Sequence, residues 1–136
     1  MAYNVMVERE VAIPRSAVFA TLMDFGGIKS ILPEMIAKCD CVGNGVGAMR
    51  SIELADGGKV VERLEVSYDE KVFAYSITEN DALPLQNYFA VVTLADAGSG
   101  TKISYGSNWI PNGASSSEIV EMLEGLYNSI IDGIAA

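Results

Sequence analysis

The C-terminal stretch constrains the fold more than any other part of this chain. Ser115 precedes Glu118 by three residues, the spacing of a capping box that opens a helix. From there to about Ile134, one stripe is formed by Ile119, Met122, Leu123, Leu126, Ile130 and Ile134, widened by Val120, Tyr127 and Ile131. Glu121, Glu124, Asn128 and Asp132 take the other side. An apolar face that wide predicts a helix cradled by a curved sheet rather than laid on a flat one.

The residues upstream supply such a sheet. Val5, Val7, Arg9, Val11 and Ile13 share one phase of an edge-type strand over 4–13 that ends at Pro14. Helical spacing of Val18, Phe19, Leu22 and Met23 follows over 15–23 and is broken at Gly26-Gly27, with a second short helix over 28–32 before Pro33. Six further segments read as strands: 38–42, 47–54, 59–68, 72–78, 87–95 and 101–110. Turn signals such as Gly43-Asn44-Gly45, Asp56-Gly57-Gly58, Asp69-Glu70 and Gly98-Ser99-Gly100 separate them. Short links between successive strands imply antiparallel neighbours. The expectation is a single α+β domain over residues 1–136, with a curved antiparallel sheet of about seven strands around the last helix.

Composition excludes several functions. With 9 basic and 18 acidic side chains, net charge -9, the chain should not bind nucleic acid or an anionic membrane surface. Glu8, Arg9 and Glu10 interrupt the first apolar stretch, so neither a signal core nor membrane insertion is expected there, and the default location is the cytoplasm. No histidine is present, which removes Ser–His and Cys–His nucleophile systems. Cys39 and Cys41 stand two apart on an extended segment, roughly 6–7 Å from each other, an awkward span for a disulfide. They read as free thiols, and neither a metal site nor a cofactor is expected.

The hairpin over 47–68 carries the polar residues that do not fit a plain core. Val60, Glu62, Leu64, Val66 and Tyr68 share the more apolar phase of its second strand, and Ala48, Arg50, Ile52 and Leu54 that of its first. A three-residue link, Asp56-Gly57-Gly58, would pair Ala55 with Lys59 and Ile52 with Glu62, leaving Arg50 diagonal to Glu62. An inward carboxylate is costly without a partner, so Glu62 needs Arg50, water or a polar ligand group. The pair is either a structural ion pair or a polar anchor in an apolar cavity. Tyr75, in phase with Phe73 and Ile77, and Tyr88, in phase with Ala90, Val92 and Leu94, are core aromatics or phenols directed into the cavity. The apolar link Leu83-Pro84-Leu85 reads as a lid, a plug or a dimer contact, and Trp109 as structural.

The pieces GVGAMR, VVERLE, DE before an aromatic strand, and LPLQNY, in that order, resemble the polyketide cyclase/dehydrase and lipid-transfer family of the START-like, helix-grip superfamily. The opening VAIPRSAVFATLMDF and the long last helix extend the likeness over nearly the whole chain. It implies a helix-grip fold with an internal cavity. ERLE and QNY are also similar, more distantly, to plant abscisic acid receptors, where the matching glutamate and tyrosine (Glu62 and Tyr88) line the hormone pocket and Leu83-Pro84-Leu85 falls on the latch loop. The receptors' pocket lysine falls on Ala37, their pocket asparagine on Ile130, and their longer gate loop on Asp56-Gly57-Gly58, so hormone reception is not expected.

The leading functional expectation is a carrier or binding protein for a small hydrophobic ligand. Its cavity, of at least ~300 Å³, would be bounded by Ile52, Leu54, Leu83, Leu85, Met122, Leu126 and Ile130, with Glu62, Arg50, Tyr75 and Tyr88 as polar contacts. A second reading is a metal-free cyclase, dehydratase or isomerase for a polyketide-like or aromatic substrate, with Glu62 as acid or base and Arg50 or Tyr88 stabilising oxyanion charge. A third is an interaction module that forms a homodimer through a strand edge or the Leu83-Pro84-Leu85 link.

Overall fold

The computed structural model describes residues 2–136. Seven strands, β1 (Val5–Val11), β2 (Ile36–Val42), β3 (Met49–Leu54), β4 (Lys59–Tyr68), β5 (Val72–Asn80), β6 (Leu85–Ala97) and β7 (Gly100–Pro111), form one antiparallel sheet in the order β1-β7-β6-β5-β4-β3-β2. Strands β1 and β2 therefore lie at opposite edges. The chain between them folds as α1 (Arg15–Met23), a 3-10 turn (Phe25–Gly27) and α2 (Ile28–Ile31). The long helix α3 (Ser116–Ala135) packs against β1, β7 and α2. This is the α+β arrangement, a curved antiparallel sheet around the last helix, that the sequence pattern predicts, and it is the helix-grip fold that the resemblance implies.

Helix α3 begins as expected: Ser115 Oγ accepts from the Glu118 backbone N–H, and the Glu118 carboxylate accepts from the Ser115 N–H. Its buried line is Ile119, Leu123, Tyr127, Ile130, Ile131 and Ile134. Tyr127 thus sits at the centre of the face, while Met122 and Leu126 lie at its flank, half-buried. Arg9, in the inner phase of β1, reaches out along the helix to the Asn128 carbonyl at 3.2 Å and to Asp132 at 2.7 Å. Its aliphatic stem lies inward while the charge stays near water.

Two local departures from regular pairing change which side chains point inward. The β4–β5 register shifts between Leu64 and Val66, so Glu65 is an extra residue and the parity of β4 reverses beyond it. Val66 and Tyr68, expected on the inner face, are instead 37% and 65% exposed on the outer one. On β6 a second shift between Gln86 and Phe89 coincides with Asn87 in the left-handed region at φ 55. It lets both Leu85 and Tyr88 face inward although they stand an odd number of residues apart.

The β3–β4 connection also differs from expectation. The Leu54 N–H donates to the Gly58 carbonyl and the Gly57 N–H to the Leu54 carbonyl, with Gly57 at φ 94. The link is therefore Ala55-Asp56-Gly57, closed by a glycine in the conformation that side chains avoid. Glu53 pairs with Lys59, Ile52 with Val60, and Arg50 directly with Glu62. The register is two residues away from the expected one. An even slip preserves the faces, which is why Arg50 and Glu62 still share the inner side.

Candidate functional site

Arg50 on β3 and Glu62 on β4 are the two buried charged side chains among the described residues. Arg50 donates from Nε to Glu62 Oε1 at 2.7 Å and from Nη1 to the Phe25 carbonyl at 3.0 Å, and its Nη2 lies in ion-pair contact with the same Oε1, also at 2.7 Å. Its guanidinium lies 3.8 Å from the Phe25 ring centroid and 5.2 Å from that of Tyr75. Burial is the largest influence and works against the charge, but Glu62, Tyr75 and Tyr105 together more than offset it and hold Arg50 above its usual value. Arg50 thereby fastens the turn between α1 and α2 to the sheet. Glu62 Oε2, in contrast, has no hydrogen-bond partner among the described residues and is not sealed off from open space.

Beyond this pair lies a connected set of phenols. Tyr105 and Tyr75 hydroxyls are 2.5 Å apart, Tyr75 and Tyr88 3.2 Å, Tyr88 and Tyr127 2.5 Å, and Tyr127 donates to Ser107 Oγ at 2.6 Å. Run in that one direction, each phenol donates once, and all four protons are committed inside the cluster. Tyr105 and Tyr127 also stack, with centroids 4.1 Å apart. Burial is the main reason that these phenols resist ionisation. Tyr75 is pushed up to about 12, with Glu62 adding to the effect of burial, and Tyr88, Tyr105 and Tyr127 are raised well above the ordinary phenol value.

The space left between the sheet and α3 is small. A cavity of about 80 Å³ is lined by Glu62, Arg50 and Tyr75 at its polar end, by Leu54 and Val60 from the sheet, and by Leu126 and Ile130 from α3. Ile28, Leu32, Met35, Ile36 and Leu83 complete its wall. The expected volume of ~300 Å³ or more is not met in this conformation, because four phenols and a guanidinium occupy the interior. Roomier depressions of about 350 and 420 Å³ lie elsewhere, one where β5 and β6 splay apart and one between 31–35 and the end of α3.

Of the residues expected at the site, Glu62, Arg50, Tyr75, Leu54, Leu83, Leu126 and Ile130 come together around this cavity. Tyr88, Ile52, Leu85 and Met122 do not line it. Tyr88 is spent between Tyr75 and Tyr127, Leu85 lies at the β5–β6 opening, and Ile52 lines a separate depression with Lys38 and Lys59. In the Leu83-Pro84-Leu85 link, Leu85 is buried while Leu83 and Pro84 are half-buried. The sequence reading did not single out Tyr105, Tyr127 and Ser107 as polar contacts. The signal was present, since Tyr105 and Ser107 are in phase with Ile103 on β7 and Tyr127 lies four residues after Leu123 on the helix face. Among the described residues no group of histidine, cysteine, aspartate and glutamate is placed to hold a metal ion, and no helix is long and apolar enough to cross a membrane.

A family model for polyketide cyclase / dehydrase and lipid transport matches residues 3–136. The chain belongs to that family. No curated protein sequence matches it significantly. Among solved structures, the protein XoxI from Bacillus cereus superposes with a TM-score of 0.82 at 23% identity, covering 99% of this chain and 94% of that one. An uncharacterised protein from Bacillus thuringiensis gives 0.81 at 20% identity, covering 96% and 95%. Norcoclaurine synthase from Thalictrum flavum, in complex with dopamine and hydroxybenzaldehyde, gives 0.78 at 19%, covering 96% and 83%. At such identities the likeness establishes the shared fold.

Proposed function

We propose that this family member binds a small, largely apolar molecule in the cavity between the sheet and α3. The observation that carries the reading is the polarity gradient of that cavity. Arg50, Glu62 and Tyr75 meet at one end, and leucine, isoleucine, valine and methionine side chains form the rest. Apolar walls with a few convergent polar groups are the usual composition of small-molecule sites. Because the space holds about 80 Å³, occupation requires the wall to yield. Met35 is 41% exposed and Leu83 only half-buried, so both can change rotamer towards solvent without leaving a void in the core.

The test is mass spectrometry of small molecules released from gently purified protein, comparing wild type with Leu126→Trp, which fills the cavity from the flank of α3. An apolar molecule should accompany the wild type and be lost from the variant. Retention in both, or absence of any binder together with no response of the Leu126 and Ile130 methyl resonances to apolar probes, would end the reading.

The unengaged Glu62 Oε2 supports a second reading, in which that oxygen moves a proton on a bound substrate and the adjoining guanidinium steadies charge on it. On any turnover found, Glu62→Gln separates the two. Unchanged rates leave only binding.

A further inference from the structure

The polar end of the cavity offers a specific combination of unmet hydrogen-bonding groups. A guanidinium carries five N–H donors, and three of them are engaged with Glu62 Oε1 and the Phe25 carbonyl. One N–H on Nη1 and one on Nη2 have no acceptor among the described residues. Glu62 Oε2, on the carboxylate whose other oxygen Arg50 holds, has no donor among the described residues. The Tyr75 hydroxyl, the third polar group on this wall, is already taken up by Tyr88 and Tyr105. Together these groups suit a single ligand group that can donate and accept at once.

Charge narrows the choice further. Arg50 and Glu62 are joined at 2.7 Å, so any ligand group touching one lies close to the other. A carboxylate drawn to Arg50 would meet Glu62, and an ammonium drawn to Glu62 would meet Arg50. Each gains one attraction and suffers one repulsion at nearly equal distance, while losing its water. A bare hydrocarbon offers a hydrogen bond to neither group. A neutral hydroxyl has neither drawback.

Resting on the cavity reading above, we propose that the ligand is an apolar molecule bearing a neutral hydroxyl, which donates to Glu62 Oε2 and accepts from the Arg50 guanidinium. The site would thus select alcohols or phenols over fatty-acid-like anions, amines and plain hydrocarbons of the same shape.

A matched set of one-ring probes tests this: benzyl alcohol, benzylamine, ethylbenzene and benzoate, titrated while the methyl resonances of Leu54, Leu126 and Ile130 are followed. Wild type should bind benzyl alcohol about tenfold or more tightly than benzoate or benzylamine. Ethylbenzene is the more hydrophobic molecule, so it is compared through a variant. Replacing both partners, Arg50→Met with Glu62→Leu, should move the alcohol-to-ethylbenzene preference about tenfold towards ethylbenzene. Glu62→Gln, which frees the guanidinium from its counter-charge, should raise benzoate binding.

Benzoate or benzylamine bound by wild type as tightly as the alcohol would overturn the proposal and leave the cavity reading intact. So would a double variant with an unchanged preference. If none of the four probes moves those methyl resonances, the cavity reading itself fails and this proposal falls with it.

Discussion

Arg50 stands directly across the β3–β4 ladder from Glu62, and its Nε and Nη2 converge on a single carboxylate oxygen at 2.7 Å. A side-by-side fork would have used both oxygens of the carboxylate. The convergent one leaves Oε2 available. Because Nη1 also holds the Phe25 carbonyl and the ring of Phe25 covers the guanidinium, the arginine cannot easily swing to a symmetric arrangement. The turn between α1 and α2 thus fixes the polarity of the cavity from outside the sheet.

Breaking this pair from one side should be far more damaging than removing it whole. Arg50→Met or Glu62→Gln alone leaves a buried charge without its partner and is expected to cost about 3–5 kcal/mol. Arg50→Met combined with Glu62→Leu should recover most of that loss. Urea unfolding of the two singles and the double gives the coupling directly. Single losses that simply add in the double would contradict it.

Within the phenol cluster the cost of losing a hydroxyl should follow its number of partners. Tyr127 OH serves both Tyr88 and Ser107, all buried, whereas Tyr105 OH meets Tyr75 alone. Tyr127→Phe is expected to cost about 1–3 kcal/mol by stranding two buried groups, and Tyr105→Phe about 1 kcal/mol or less. Thermal unfolding of the pair checks the ranking, and a larger loss for Tyr105→Phe would refute the idea that the number of partners sets the cost.

Alkaline pH should unfold the protein through the same cluster. Each buried phenol ionises more reluctantly in the folded state than in the unfolded chain. Above the free-tyrosine value of about 10, the unfolded state therefore binds fewer protons than the native one, and stability falls as pH rises. The contribution is complete below that value and, for Tyr75, is lost as pH climbs from there to about 12. Tyrosinate absorbance from these four residues should appear together with loss of the far-ultraviolet helix signal. Their ionisation well before unfolding would show that the cluster is open to solvent.

The sequence revealed the elements of the fold because each has its own local signature. The capping box at Ser115 and Glu118, the alternation along β4 as far as Leu64, and the glycine turns all act over a few residues. Inward placement of Glu62 and Arg50 was legible for the same reason, and it survived an error in register because the slip was even. What escaped was set by tertiary context. The bulge at Glu65 turns Val66 and Tyr68 outward, and nothing in the run VVERLEVSY marks which residue is the extra one. The volume of the cavity depends on four phenols from four elements meeting at one point. Tyr75, Tyr88, Tyr105 and Tyr127 come from β5, β6, β7 and α3, and only the packing of the helix on the curved sheet brings their hydroxyls together.

The two glycines inside α3 provide a contrast that bears on how the cavity wall is held. A Cβ added at Gly125 would have nothing within 4 Å, while one at Gly133 would lie 2.4 Å from the Ile31 carbonyl oxygen and 2.5 Å from Ile31 Cγ2. Gly125→Ala should therefore stabilise the protein by up to about 1 kcal/mol, the helix-interior difference between the two residues. Gly133→Ala must instead push α2 away from α3. Leu32, Met35 and Ile36, just beyond α2, form one side of the cavity, and Leu126 and Ile130 on α3 form the other. The expected result is a clear loss in thermal stability together with altered probe affinity at the Leu126 and Ile130 methyls. If Gly133→Ala lowers stability but leaves binding untouched, the α2–α3 contact is not what sets the width of the cavity.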